Sequence, residues 1–265
     1  MTEGGRSLNG KVALVTGSSS GAGAQIALEL AARGAAVAVH CRSSVTAAES
    51  VVSRIAETGG ISAAFKANLT SSEDCRRLAS EVRERLGAVD VLINNAGPYV
   101  DAPFRSLAPS DWDAIMAVNL KAPYLLAQHL APEMEALGWG RIVNISATSA
   151  YVRTHSVYGL AKAALVHLTE ALALEFAPNV TVNAIAPGQM ASPRTDLMPA
   201  YKASVISDTP LGRLAGEQEV AQIAALFCMP EFDFVTGQTI VVDGGRSLPR
   251  VSTIGPELTA IYVSS

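Results

Sequence analysis

Short apolar runs alternate with longer stretches of helical period along most of the chain. Val12–Val15, Ala36–Cys41, Ile61–Lys66, Val89–Ile93 and Gly140–Ser146 are each short and apolar enough for a strand buried on both faces. Between them the pattern predicts helices from Ala24 to near Gly34, over Thr46–Thr58, and from a Thr70-Ser71-Ser72-Glu73 capping box to about Leu86. Ser110 to about Leu137 reads as one long helix, with Trp112, Ile115, Met116, Leu120, Tyr124 and Leu125 as its apolar stripe. A further helix begins near Ser156 and closes between Thr169 and Pro178. Regular alternation of strand and helix predicts an α/β fold of βαβ units around a parallel sheet.

Composition narrows the picture. Of 265 residues, 49% are hydrophobic and 17% charged, so a large core can form and disorder is not expected. No Pro/Gly/Ser-rich linker or charge run divides the chain. The net charge is −4 and the basic residues are dispersed, which argues against a nucleic-acid surface. Cys41, Cys75 and Cys228 are odd in number and far apart, suggesting neither a disulfide framework nor a metal site and fitting a reduced, cytoplasmic protein. The first ten residues lack the basic start and apolar core of a signal peptide, and no apolar run approaches the ~18 residues of a membrane helix. A soluble protein with no membrane partner is expected.

The densest chemistry lies in Lys11 to Gly23, KVALVTGSSSGAG. A strand, a glycine turn and a helix start would bring free N–H groups to an anion, with Gly17, Gly21 and Gly23 allowing the tight turn and close approach. The spacing is G-x-x-x-G-x-G, not the general G-x-G-x-x-G. The same letters satisfy G-x-S-x-G, the elbow of serine hydrolases, with Ser19 as nucleophile, but that reading leaves Gly23 without a role. Past the second strand come Arg42 and Ser43, with no carboxylate. An acid there would bind a dinucleotide's 2′-hydroxyl, whereas an arginine suits a 2′-phosphate. Asn94-Asn95-Ala96-Gly97 falls at a strand's carboxyl edge, where ligands of open α/β sheets bind. Asn119 is a poor helix former in mid-helix, either a kink or an active-site polar group. Tyr158 and Lys162 share a helix face, and a cation that close is expected to pull the phenol's pKa down from about 10.

These residues, in this order, resemble the short-chain dehydrogenase/reductase family. The match runs from about Leu8 to Ser247 through TGSSSGAG (16–23), NNAG (94–97), Asn119, YGLAK (158–162), NAIAPG (183–188) and VDGG (242–245). The resemblance implies that Gly17, Ser19, Gly21 and Gly23 cradle a pyrophosphate, that Asn95, Ala96 and Gly97 lie beside the adenosine ribose, and that Asn68, with Leu69, meets the adenine where the family commonly has Asp. It makes Tyr158 the acid/base, with Lys162 tuning it and holding the nicotinamide ribose. Asn119 then anchors a proton-relay water, and Pro187, Gly188 and Ser192 line the nicotinamide, Ser192 replacing the usual Thr. The family's serine aligns with Ala147 in the strand RIVNIS, while counting back from Tyr158 makes Ser146 nearest. Ser146 is therefore the expected hydroxyl donor, with Thr148 and Ser149 as alternatives.

The expectation is a single doubly wound Rossmann α/β domain over 1–248, with about seven parallel strands, followed by an extension over 249–265 carrying Leu258, Ile261 and Tyr262. Its expected activity is hydride transfer between NADP(H) and a carbonyl or alcohol, in a homotetramer. The substrate would sit between the segment PYVDAPF (98–104) and a lid over Gln189–Arg213. Oxoacyl reductases and pteridine reductases are resembled equally. A nucleotide-binding member that has lost redox chemistry would account for Ala147, and a hydrolase using Ser19 is the remote alternative.

Overall fold

Each expected apolar run becomes a strand of one parallel sheet in the computed structural model, which describes residues 8–100, 102–152 and 156–248. In chain order the elements are β1 (Val12–Val15), α1 (Gly21–Ala32), β2 (Ala36–Cys41), α2 (Val45–Glu57), β3 (Ser62–Lys66), α3 (Ser72–Leu86), β4 (Val91–Asn94), α4 (Pro109–Met116), α5 (Ala122–Ala136), β5 (Gly140–Ile145), α6 (Val157–Glu175), β6 (Val180–Pro187), α7 (Pro193–Asp196), α8 (Pro199–Asp208), α9 (Glu217–Leu226) and β7 (Thr239–Val242). The seven strands run in the order β3-β2-β1-β4-β5-β6-β7, every pair parallel. The order reverses between β1 and β4, and the crevice at their carboxyl ends is where such sheets bind ligands.

The sheet is buried on both faces, which is why its strands read as continuous apolar runs. Ala13 and Val15 of β1 join Val37, Val39, Val91 and Ile93 in a core closed by Ile26 and Leu30 of α1, Val51 and Ile55 of α2 and Val220 of α9. Val12 and Leu14 point the other way, into a core with Leu92, Ile142, Leu78 of α3, Leu126 of α5 and Leu172 of α6. Fully burying each such side chain contributes roughly 1.5–3 kcal/mol before the entropy of ordering is subtracted.

Several boundaries differ from expectation for local reasons. Helix α1 starts at Gly21, three residues early, because first-turn residues need no i−4 acceptor for their N–H groups and glycine costs little there. Helix α3 is capped by Ser71, whose hydroxyl accepts the Asp74 N–H at 3.2 Å, one residue later than the expected box; Thr70 instead donates to Asn68. The expected long helix is helical throughout but holds a π turn at Ala117–Lys121. There the side chain of Asn119 donates to the Ile115 carbonyl, entering the ladder and widening it. Helix α6 has 19 residues and a mean hydropathy of 1.3, long and apolar enough to cross a membrane by those measures alone, contrary to the sequence expectation. In this fold its Leu165, Leu172 and Ala173 are buried. The expected extension 249–265 lies outside the described residues.

Candidate active site

The carboxyl ends of β1, β4, β5 and β6 converge with the start of α6. At the end of β1, Gly17 has φ +64°, open to glycine at little cost, and a Cβ there would come within 3.0 Å of the Ala96 backbone. Asn95 fastens this turn: its side-chain amide donates to the carbonyls of Thr16 and Gly17 at 2.9 and 3.1 Å, while the Thr16 hydroxyl accepts the main-chain N–H groups of Asn95 and Ala96. Gly23 lies directly beneath that amide. Ser20 precedes α1 without capping it through its side chain, and the first turn of α1 holds no acid. The helix start therefore keeps its donors and positive end for an anion.

Beyond β2 and β3 a cleft of about 440 Å³ is lined by Arg42, Lys66, Asn68, Arg77 and Arg85 among others. Asp74 and Glu81, the acids in its wall, both pair with Arg77. Arg42 and Lys66 have no carboxylate partner among the described residues. The cleft is cationic on balance. The side-chain oxygen of Asn68 is already taken by the N–H and hydroxyl of Thr70, and Leu69 is buried.

Asn119, Lys162 and Tyr158 gather around Gly97. Asn119 is fully buried; its amide donates to the Ile115 and Pro98 carbonyls at 3.1 Å, and its Oδ1 has no partner among the described residues. The π turn and this orphan acceptor are one feature, so the kink and the active-site polar group coincide. A Cβ on Gly97 would stand 2.7 Å from Asn119 Oδ1 and 3.1 Å from Lys162 Nζ, so only glycine leaves that gap open. Lys162 is 2% exposed and donates to the Ile145 carbonyl at 2.7 Å; burial pushes its pKa down to about 7. The Tyr158 ring centre lies 5.5 Å from Nζ and packs edge-on against Tyr99, with centroids 5.2 Å apart. Burial, and secondarily Tyr99, push the phenol up to about 12. The expected lowering by Lys162 is overturned in the chain by itself, because a desolvated amine is a weakly held cation.

Ser146 is also corrected. Its hydroxyl has one proton, and that proton is donated to the main-chain carbonyl of Lys162 at 2.9 Å, under helix α6, leaving none for a substrate oxygen. Ala147 carries no hydroxyl. Thr148–Ala150 form a single 3₁₀ turn packed on α6, and within it the Ser149 hydroxyl is buried without a partner among the described residues. Pro187 ends β6, and Gly188 donates to the Val242 carbonyl. Ser192 caps the short α7 through Thr195, which exchanges bonds with it. The expected lid Gln189–Arg213 folds largely as α7 and α8, with Tyr201 donating to the Gln189 side chain at 2.9 Å.

The hydrolase alternative fails on geometry. His40, the histidine adjoining the Ser19 turn, has both ring nitrogens engaged, Nδ1 by the Gly17 N–H and Nε2 by the Ala67 carbonyl, so it cannot serve Ser19 as a base. Among the described residues no cluster of His, Cys, Asp or Glu fits a metal ion. The sequence reasoning missed His40, although a histidine in an otherwise apolar buried strand is itself a sign of two specific partners.

Residues 17–247 match a family profile described as enoyl-(acyl carrier protein) reductase. The chain belongs to the short-chain dehydrogenase/reductase family, oxidoreductases that transfer hydride with nicotinamide cofactors and act on small molecules. It is 34% identical over 258 residues to a hydroxynaphthalene reductase-like protein of Metarhizium robertsii, covering 91% of this chain and 96% of that one. It is 36% identical over 239 residues to the 3-oxoacyl-(acyl-carrier-protein) reductase of Staphylococcus aureus, covering 89% and 97%. A gluconate 5-dehydrogenase from Burkholderia cenocepacia, solved with NADP and tartrate, superposes with a TM-score of 0.85 at 31% identity, covering 92% of this chain and 97% of that one.

Proposed function

We propose that this protein interconverts a carbonyl and an alcohol with NADP(H), using Tyr158 as the proton donor or acceptor. The observation that carries the proposal is the group around Gly97, the buried Lys162 amine, the Asn119 oxygen without a partner among the described residues and the Tyr158 ring, at the same carboxyl edge of the sheet as the anion-ready start of α1. When bound, the nicotinamide dinucleotide supplies the hydride for the carbonyl carbon or takes it from the alcohol. Tyr158 Oη gives its proton to the substrate oxygen in the reductive direction. Lys162 offers two further N–H groups to a ribose hydroxyl and to a water held by Asn119 Oδ1, a path along which Tyr158 is reprotonated. Gly17, Ser19, Gly21, Gly23 and the first turn of α1 receive the pyrophosphate, and Arg42, Ser43 and Lys66 favour a 2′-phosphate.

With the Ser146 proton spent, Ser149 is the donor that best suits the developing alkoxide, since burying a hydroxyl without a partner costs about 1–3 kcal/mol unless a ligand accepts from it. The half-exposed Tyr99 ring against Tyr158 supports flat cyclic ketones or quinones as first substrates, in keeping with the name of the Metarhizium relative. Three buried, unbridged cysteines support a reducing, cytoplasmic setting.

The test is NADPH oxidation with a quinone or cyclic ketone. Tyr158→Phe is expected to bind nucleotide as wild type and to lose about 10²-fold or more in turnover. If wild type binds NADPH and reduces none of a broad ketone, quinone and pteridine panel, the reading with lost redox chemistry replaces this one.

A further inference from the structure

His40 lies near the carboxyl end of β2 and is 2% exposed, with every polar atom used. Its Nδ1 accepts the Gly17 N–H at 2.9 Å and its Nε2 stands 3.1 Å from the Ala67 carbonyl oxygen. An acceptor on one side and a donor on the other define the neutral tautomer protonated at Nε2. Its main chain exchanges two more bonds with Ser18: the Ser18 N–H donates to the His40 carbonyl at 2.9 Å, and the His40 N–H donates to the Ser18 hydroxyl at 3.0 Å. One imidazole thus ties the turn after β1 to the loop after β3 across β2. Both segments belong to the nucleotide site proposed above, yet the ring itself has no exposed surface to offer a ligand.

We propose that His40 is the positioning residue of the glycine turn: the neutral imidazole holds Gly17 in the shape that receives the pyrophosphate, and a second proton on the ring releases the turn and weakens nucleotide binding. The proposal rests on the nucleotide reading of the site. Protonated Nδ1 would present an N–H to the Gly17 N–H, two donors face to face in a buried place, and the turn would have to move.

Among the described residues no charged group offsets this. The turn Thr16–Ser20 and strand β1 bring no ionisable side chain. Strand β2 and its end bring Cys41 and Arg42, and β3 brings Lys66, none of them anionic partners. Of the nearest acids, Glu49 acts on Cys41, and Asp74 is held by the Asn68 N–H and Arg77. Burial holds the His40 pKa below its ordinary 6.5, with the Ala67 carbonyl pulling partly back. Because nucleotide selects the neutral ring, affinity is full above the ordinary histidine range and declines as pH falls below it, and bound nucleotide lowers the pKa of His40 further.

The experiment measures NADPH and NADH binding at pH 8 and pH 5.5 for wild type, His40→Asn and His40→Phe, together with the Gly17 amide resonance of the ligand-free proteins across that range. NADH lacks the 2′-phosphate, which removes that group's own titration. Asn places an untitratable amide oxygen where Nδ1 stands, whereas Phe fills the space without an acceptor. Wild type is expected to lose affinity for both nucleotides on acidification, by less than about tenfold at pH 5.5, because a ring held below its ordinary 6.5 is there less than about ten parts protonated to one neutral. His40→Asn should show a flat profile, and His40→Phe should be about tenfold weaker already at pH 8. The Gly17 resonance should titrate in wild type and stand still in His40→Asn. Parallel losses in wild type and His40→Asn, or a Gly17 resonance indifferent to pH, overturn the proposal. If His40→Phe does not fold, the Asn comparison decides alone. If neither nucleotide binds wild type at pH 8, the cofactor reading falls, and the Gly17 resonance still decides whether His40 governs the turn.

Discussion

A lysine taken out of water with no carboxylate beside it destabilises the fold that holds it, and Lys162 is such a lysine. Its pKa is lowered from 10.5 to about 7, so the unfolded chain binds more protons between those values and stability rises with pH across that window; below about 7 the full cost is carried. Lys162→Met, similar in volume and uncharged, is expected to stabilise the protein by at least ~1 kcal/mol at pH 6.5 and by less at pH 10, while abolishing turnover. Denaturant melts at the two pH values check the first part. The same proton governs activity: kcat/KM for carbonyl reduction, which reports the free enzyme, should fall as pH rises through about 7 and the ammonium is lost. At the cofactor's other end, Arg42→Ala should weaken NADPH by about 1.5–3 kcal/mol and leave NADH nearly unchanged, measured by titration of each; equal losses would remove the basis for NADP(H). The spacing of Tyr158 and Lys162 was legible as a shared helix face. The direction of their pKa shifts was not, because it depends on desolvation by chain that is distant in sequence. Ser146 misled for a related reason: strand alternation tells which side a hydroxyl faces, not whether a carbonyl there has already claimed its proton.

Elements show where local rules suffice and where they stop. Strand β3 is a sheet edge, and its outward carbonyls at Ala64 and Lys66 would be open to another chain. Helix α3 closes them: Arg85 donates to the Ala64 carbonyl at 3.1 Å and Arg77 to the Lys66 carbonyl at 3.3 Å, with Arg85 also lying over the Phe65 ring. Replacing both arginines with alanine should cost little in monomer stability, about 0.5–1.5 kcal/mol for each lost bond, and should raise the rate of aggregation near the melting temperature. Light scattering during a thermal ramp reads this, and an unchanged onset would mean that the edge is protected otherwise. The apolar period made these helices legible within a few residues. What it missed were events set by side-chain hydrogen bonds: the cap moving from Thr70 to Ser71, and the π turn where Asn119 reaches two carbonyls, one of them on Pro98.

At the scale of the molecule, the alternating pattern made the parallel α/β architecture legible, but not the surfaces left uncovered. Large apolar side chains are exposed among the described residues, and two groups of them lie at different places in the fold. One holds Trp112 and Tyr124 on α4 and α5; the other holds Leu174 at the end of α6, Phe234, and Ile240 and Val241 on edge strand β7. Two separate faces on one subunit, each packing against its own copy, would build a closed tetramer with three two-fold axes, and that is the assembly we propose. Sedimentation or light scattering at micromolar concentration should give a mass about four times 27.5 kDa; a lone subunit would rule it out. The parallel order carries a further consequence, for the time at which function first exists. Strand β1 is fastened at its start by Asp90, which accepts the Val12 N–H, and at its end by Asn95 on Thr16 and Gly17, partners 78 and 79 residues downstream. At about 5–20 residues per second of synthesis that interval is roughly 4–16 s, for most of which the glycine turn has its His40 partner but not Asn95. The most local-looking motif in the chain therefore takes its full shape only when a partner far downstream arrives, and a nascent chain cut short before Asn95 should carry every glycine of the turn and bind no nucleotide.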